Sequence, residues 1–564
     1  MSILGGGKTV LGSARRAVAG PLQLLRTGLR TGLLRRPNGR PFNLLRVALR
    51  HGLGVRSMHT LHAAAEPDRI AVVDRRRSLT YAEFNAELDA LASGLVAELG
   101  ATRGVPVTIM MDNRAEYLVA WFALARISVT CAHASSYSTA EELIPLMERS
   151  GSKILVVSDA TRDVADALVS RRPDLDVRIV HVGDGALGAV DYQDLVRRHA
   201  GRQAEPPPRD AESESVVYTS GTTGRPKGAV RDLRGLGLKT LLEVLDRLPL
   251  QCGDRHLVVA PLYHSAAQVF VMLNAALANT IIIEGKFDAE ATLRRISEER
   301  INNLFLVPTM IHRLLELPDA LFDRYPSPAL RAIVSGAAVF PPRLRAAAIH
   351  RFGAECIFDF YGATELGWVT LVDGREMLGR PGTVGRAIPG QQIGIFGDNG
   401  ETRPPGEVGV VYTCSGQLMR GYLEDKAATD ATKLGAWSTV DDLGYLDSDG
   451  YLFVTGRARD MVISGGVNVY PVEVENVLAT HPDIDEVAVV GVPDPQWGEV
   501  LTAVVVTKTG IDSEAATAWA RSRLAPYKVP RRWETLQALP RNPTGKVLKA
   551  ALRDRFADDA AQVS

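Results

Sequence analysis

VVYTSGTTGRPKGAV, residues 216–230, is an apolar strand that opens into a loop carrying three glycines, four hydroxyls and a lysine before the chain turns apolar again. Phosphate oxygens need donors at close range, and this loop is rich in them. Gly221, Gly224 and Gly228 let the backbone approach an anion, Thr219, Ser220, Thr222 and Thr223 add hydroxyls, and Lys227 adds a point charge. The spacing does not fit GxxxxGK[ST], so this is not a Walker loop. An isolated Gly/Ser/Thr-rich stretch is ordinarily a polar turn; so long an ordered string directly after a strand favours a phosphate cradle.

Upstream of the loop, VPVTIMM (105–111) reads as a buried strand, residues 112–126 (DNRAEYLVAWFALAR) as a capped amphipathic helix, and KILVVSD (153–159) as a second strand. Alternating strands and helices predict an α/β sheet with ligands at the loops beyond the strand ends. Residues 201–215, GRQAEPPPRDAESES, form a polar, Pro-rich connector.

The bulk numbers suit a multidomain enzyme. A chain of 564 residues, 46% of them apolar and 23% charged, implies two to four domains with normal cores. The four cysteines are scattered, without CxxC pairs, which argues against a disulfide framework or a zinc site and makes the reducing cytoplasm the expected compartment. No apolar run approaches the length of a membrane span. Net charge is zero, yet the first 65 residues hold ten Arg, one Lys and no acid, leaving 54 basic against 65 acidic residues beyond them. An acidic body argues against nucleic acid as a partner.

Within the basic arm, residues 1–59, PLQLLRTGLR (21–30) nearly repeats as PFNLLRVALR (41–50). Leu22, Leu25 and Leu29, like Phe42, Leu45 and Leu49, share one helical face flanked by arginines. Such a helix suits peripheral association with an anionic membrane, here the inner face. Packing on the enzyme's own body and an organellar transit peptide are the other readings, the latter weakened by the scarcity of serine.

YTSGTTGRPKG resembles the phosphate loop of the adenylate-forming superfamily, which includes acyl-CoA synthetases, firefly luciferases and peptide-synthetase adenylation domains. Six further segments match in order, so the resemblance covers roughly residues 60–550. PLYHSAA (261–267) resembles the motif that places His264 near the acyl and thiol channels. IVSGAA (333–338) offers Ser335, Gly336, Ala337 and Ala338 as a small-residue turn for the adenine ring. In DFYGATE (359–365) the resemblance implies Tyr361 stacked on the base beside Gly362, Thr364 at the α-phosphate and Glu365 on magnesium, with Thr222 of the loop as a second metal contact.

AWSTVDDLGYLDSDGY (436–451) resembles the segment whose aspartate holds the ribose hydroxyls, which maps to Asp442. The family usually has Thr-Gly before that aspartate, and Val440-Asp441 stands here, so Asp441 competes for the role. GRARDMVISGGVNVYPVEVE (456–475) resembles the interdomain hinge, implying Arg457 on ribose or phosphate, Asp460 as pivot, and Gly465 and Gly466 beside the pantetheine channel. LPRNPTGKVLK (539–549) places Lys546 at the position of the family's catalytic lysine.

The resemblance implies an α/β protein with a large, multi-subdomain N-terminal AMP-binding region, residues 60–459, and a small mobile α+β C-terminal domain, residues 460–564. It implies ATP, Mg²⁺ and coenzyme A as the small molecules used, and a carboxylic acid as substrate. A medium-to-long fatty acid is the expected acid, with Gln268, Phe270 and Trp368 near its chain. An aryl acid, a carrier-protein acceptor and, as a separate class, an inactive nucleotide- or acyl-binding protein are the alternatives; the presence of Glu365 and Lys546 disfavours the last.

Overall fold

The computed structural model describes residues 26–32 and 54–562, apart from residues 184–188, 209–210, 212–213, 220–226, 233–237, 398, 465–466, 495–497, 508–509 and 542–545. The chain parts into two compact units: Met1–Phe305 with Pro318–Ile333 and Gly416–Thr429, and Leu306–Leu317 with Val334–Ser415 and Asp430–Ser564.

The first unit holds an eight-stranded sheet in the order Gly421–Tyr422, Lys227–Asp232, Glu214–Thr219, Cys131–His133, Val107–Met110, Ile154–Ser158, Arg178–Val182 and Val190–Asp191. From Glu214–Thr219 onward the neighbours run parallel; Lys227–Asp232 and Gly421–Tyr422 are antiparallel additions. Val107–Met110 and Ile154–Ser158 are buried at every position, as strands covered on both faces must be.

The expected helix at 112–126 forms over Ala115–Arg126, but it is neither amphipathic nor capped by its own preceding residue. All of Ala115 to Ala125 is buried, because the helix lies between the sheet and the helix Tyr81–Ala97. A helix enclosed on all sides has no face to make polar. Its first free N–H is instead satisfied from a distance, Ala115 N donating to Asp74 Oδ2 at 2.9 Å.

The helix Val55–Ala65 crosses the boundary expected at residue 60 and buries Met58 and His59 in this unit's core. Within the arm, residues 26–30 are helical and dock on the body. Thr27 Oγ1 donates to Asp246 Oδ1 at 2.7 Å, Arg30 donates to the Leu245 and Leu248 carbonyls, and Cys252 N donates to the Thr31 carbonyl at 2.7 Å. This part of the first repeat therefore packs on the enzyme; the second repeat, residues 41–50, lies outside the described residues. Among the described residues no helix is long and apolar enough to cross a membrane.

In the second unit an antiparallel sheet runs Ile357–Ala363, Gly367–Asp373, Gly385–Ala387, Tyr451–Arg457, Asp442–Leu446, Gly409–Cys414. The small C-terminal domain has its own sheet, ordered Val467–Val469, Val462–Ser464, Gly498–Val506, Glu486–Asp494, with Arg532–Thr535 on the far side of Gly498–Val506. Alternation along Glu486–Asp494 sends Val489 to one apolar cluster and Ala488, Val490 and Val492 to another. Both faces of that sheet are thus covered.

Candidate active site

Thr219 and Lys227 are cross-strand partners of one antiparallel hairpin, as are Tyr218 and Gly228. The intervening Ser220, Gly221, Thr222, Thr223 and Gly224 lie outside the described residues. Close packing explains one of the glycines. A Cβ on Gly228 would stand 2.9 Å from Val216 Cγ1 and 3.1 Å from Tyr218 Cε1.

In the same unit His264 sits at the N-cap position of the helix Ser265–Ala276, its ring 4.4 Å from that of Tyr263. Asn113 fixes the loop before it from both sides, donating to the Ala260 carbonyl at 3.0 Å and accepting from Leu262 N at 2.9 Å. Asn113 lies inside a stretch read from the sequence only as a helix start. Gln268 is buried and spends its amide on the Leu262 carbonyl, while Phe270 stacks on Phe305 at 5.3 Å.

The second unit brings together the largest set of expected residues. Asp442 and Arg457 begin and end neighbouring strands and are cross-strand partners, so register alone sets Arg457 Nε 3.1 Å from Asp442 Oδ1. Tyr361, four strands away in sheet order, donates its hydroxyl to Asp442 Oδ2 at 2.7 Å. A flat sheet would hold them about 19 Å apart at ~4.8 Å per strand, so this sheet coils back on itself.

Asp442 is buried, whereas Asp441 is exposed and has φ +61°. The glycine usual in the family suits this left-handed backbone, and Asp is one of the few side chains that tolerate it. Of the two aspartates, Asp442 is the one bonded to Tyr361 and Arg457. Burial raises its carboxyl above the ordinary value, while Arg457, the Tyr361 hydroxyl and Lys546 draw it down.

Lys546 joins this cluster electrostatically. Desolvation comes first in lowering its ammonium from the ordinary lysine value, followed by repulsion from Arg457, while Asp442 and Glu365 act in the opposite direction. The residue as a whole remains solvent-accessible, so water screens part of that desolvation. Asp460 is gripped by Arg553 of the C-terminal helix Lys549–Gln562 at 2.7 Å, a pairing that spacing did not reveal.

The small-residue turn is equally specific. A Cβ on Gly336 would lie 2.4 Å from the Phe360 ring, and one on Gly362 would lie 2.4 Å from the Gly367 carbonyl. Ala337 has φ +64°. Ser335 is fully buried with no hydrogen-bond partner for its hydroxyl, an orphaned polar group that a polar ligand edge would satisfy. Thr364 and Glu365 follow at the end of Ile357–Ala363, both half-buried. Trp368 is buried and its indole N–H is already donated to the Thr370 carbonyl at 2.7 Å.

One buried pair escaped the sequence reading. Arg345 reaches Asp359 at 2.7 Å and the Thr383 carbonyl at 2.7 Å, anchoring the strand that carries Tyr361. Burial pushes the Asp359 carboxyl up to about 6 despite the Arg345 charge. Asp359 lay within a quoted motif, but nothing in the spacing pointed to residue 345.

No group of three or more potential metal ligands exists among the described residues. A single carboxylate, Glu365, still fits Mg²⁺, which takes one or two carboxylates and completes its shell with phosphate oxygens and water.

This fold and this arrangement match a known class. The model of the AMP-binding enzyme family fits residues 60–423, and that of the AMP-binding enzyme C-terminal domain fits residues 473–546. The chain is 34% identical to a feruloyl-CoA synthase of Amycolatopsis sp over 89% of its length and 99% of that protein. It is 31% identical to a long-chain-fatty-acid–CoA ligase of Mycobacterium tuberculosis over 85% of its length and 93% of that protein. The ATP-bound crystal structure of MatB from Rhodopseudomonas palustris superposes with a TM-score of 0.81 at 27% identity, covering 90% of this chain and 100% of that one. The chain belongs to the AMP-binding enzyme family. It is of the ATP-dependent, AMP-forming acid–thiol ligase type.

Proposed function

We propose that the protein activates a medium-to-long-chain fatty acid as its acyl-adenylate and transfers the acyl group to coenzyme A. The observation that carries the catalytic part is the meeting of Asp442, Arg457, Tyr361 and Lys546 in one cluster with Glu365 in electrostatic reach. A carboxylate is unreactive toward a thiol because its charge repels the nucleophile and oxide leaves poorly. Joining it to AMP supplies a leaving group.

In the first half-reaction the acid's oxygen attacks the α-phosphorus of ATP and pyrophosphate departs. Asp442 accepts the ribose hydroxyls, and Gly336, Ala337 and Tyr361 hold the base. Lys227 and the loop donors bind phosphate oxygens, while Thr364 and the Lys546 ammonium stabilise charge at the α-phosphate. When bound, Mg²⁺ would sit on Glu365, with Thr222 as a second contact, and neutralise phosphate charge. In the second half-reaction the thiol of CoA displaces AMP. On this reading the C-terminal domain turns at Asp460, withdrawing Lys546 and presenting Gly465 and Gly466 to the pantetheine, with His264 beside the thiol.

The fatty-acid choice is supported by the long-chain relative and by the basic, apolar-striped arm. A second reading, an aryl acid, is favoured by the feruloyl-CoA synthase at 34% identity. Cytoplasmic location with peripheral attachment through the arm belongs to the first reading. Pyrophosphate release measured across fatty and aryl acids with CoA separates the two. Turnover confined to aryl acids defeats the fatty-acid assignment, and no release with any acid defeats the ligase.

A further inference from the structure

The helix Lys549–Gln562, which begins three residues beyond Lys546, is fixed to the small C-terminal domain along one side. Leu552 and Phe556 are buried with Ala488, Val490 and Val492 of that domain's sheet, the Phe556 carbonyl accepts from Arg532 Nη1 at 3.3 Å, and Lys549 Nζ pairs with Glu475 at 2.6 Å. Arg553 leaves this anchored helix on a different side and reaches the hinge. Its Nη2 donates to Asp460 Oδ1 at 2.7 Å, and its Nη1 stands 3.5 Å from the Arg459 carbonyl, a weak second contact. The Arg553 and Asp460 side chains are 34% and 20% exposed, so the pair is partly shielded from water.

The Arg459 carbonyl precedes the expected pivot, the Asp460 carboxylate stands on it, and Arg553 belongs to the domain beyond it. A single guanidinium therefore touches the chain on both sides of the turning point. Rotation of the backbone at Asp460 carries Arg553 away from the Arg459 carbonyl, so the two contacts persist together only in the orientation seen here, with Lys546 in electrostatic reach of Asp442 and Glu365. A contact made in one of two orientations shifts their populations by its own differential free energy and no more. We propose that Arg553 is a positioning residue for the first half-reaction: by bridging Arg459 and Asp460 it favours the orientation that brings Lys546 to the nucleotide cluster, and it lets go when the domain turns for thioester formation. This inference rests on the ligase reading and on the hinge at Asp460, and it adds the group that biases that hinge.

The two half-reactions are measured apart in the full chain, with the acid that turns over fastest in the wild type: single-turnover pyrophosphate release, and thioester formation from preformed acyl-adenylate and CoA. The variants are Arg553→Ala, Arg553→Lys and Arg555→Ala, the last an exposed arginine on the same helix. Arg553→Ala is expected to slow the first step about three- to tenfold, the worth of one partly exposed charge-assisted bond, and to leave the second unchanged or faster. Arg553→Lys keeps the charge and is expected to recover part of the loss, while Arg555→Ala matches wild type in both steps. Asp460→Asn breaks the same pair from the other side and carries the same expectation, so the test survives a failure of Arg553→Ala to fold. Equal losses in both steps, or no loss in the first, overturn the proposal. Trypsin supplies a readout without turnover: cleavage after the exposed Arg459, with fragments identified by mass, is expected to quicken several-fold in Arg553→Ala and not in Arg555→Ala. Unchanged cleavage there overturns the proposal as well. Wild-type protein that releases no pyrophosphate with any acid defeats the ligase reading instead, and the trypsin result then still decides whether Arg553 holds the hinge.

Discussion

The Tyr361 hydroxyl and the Asp442 carboxylate share a 2.7 Å hydrogen bond that ties the strand Ile357–Ala363 to the strand Asp442–Leu446. Because Asp442 is buried and its other oxygen is taken by Arg457, removing the tyrosine donor leaves a buried carboxylate oxygen short of a partner. Tyr361→Phe keeps the ring and deletes only the donor. It is expected to destabilise the protein by about 1–3 kcal/mol in thermal or denaturant melts and to raise the KM for ATP several-fold. An unchanged melt together with an unchanged KM would mean that the bond orders nothing.

Asp441 stands in left-handed backbone at φ +61°, with its N–H donated to Thr439 Oγ1 at 2.9 Å and its carbonyl accepting from Ala458 N at 2.8 Å. Those bonds use the backbone alone, so the side chain is replaceable where the conformation is not. Asp441→Gly is expected to be neutral or stabilising by up to about 1 kcal/mol, and Asp441→Val to cost more than about 1 kcal/mol. Melting temperatures of the two variants decide it, and a Val variant as stable as the Gly variant contradicts the backbone account.

The Asp442 segment and the ordering of motifs are legible because each is local: a few adjacent residues carry the signal. The strands Val107–Met110 and Ile154–Ser158 fell where apolar runs placed them. What was not legible depends on residues far apart in the chain. The sequence of the helix Ala115–Arg126 reads as amphipathic, whereas its Glu116 is buried and paired with Arg114 at 2.9 Å. Its cap comes from Asp74, and the anchor of Asp359 comes from Arg345; no periodicity encodes either. The arm shows the same limit, since Thr27 meets Asp246 across 219 residues of sequence.

The Arg345–Asp359 pair carries a pH signature. The folded Asp359 carboxyl lies at about 6, above the ordinary 3.8, with burial outweighing the Arg345 charge. A raised carboxyl contributes stability that is present below pH ~4 and is lost as pH rises through about 6, amounting to about 3 kcal/mol for one buried group. Asp359→Asn cannot titrate, so its cost relative to wild type is expected to be larger at pH 4 than at pH 7. Paired unfolding curves at the two pH values measure this. A cost that grows toward pH 7 would show that the Arg345 cation, rather than burial, controls the carboxyl.

Lys546 offers the sharpest separation of the two half-reactions. Its ammonium is drawn below the ordinary lysine value by desolvation first and by Arg457 next, with Asp442 and Glu365 holding it up. As a charge stabiliser it must be protonated, so acyl-adenylate formation should decline as pH rises through its lowered pKa, before an ordinary lysine would lose its proton. Lys546→Ala is expected to slow adenylate formation by about 10²–10³-fold, the cost of one preorganised group facing developing charge. If the lysine serves only that step, the variant should still convert preformed acyl-adenylate and CoA to thioester at close to the wild-type rate. Pyrophosphate release and thioester formation, measured separately in single-turnover experiments, test both statements. Equal loss of the two steps would remove Lys546 from the α-phosphate and assign it a general structural part instead.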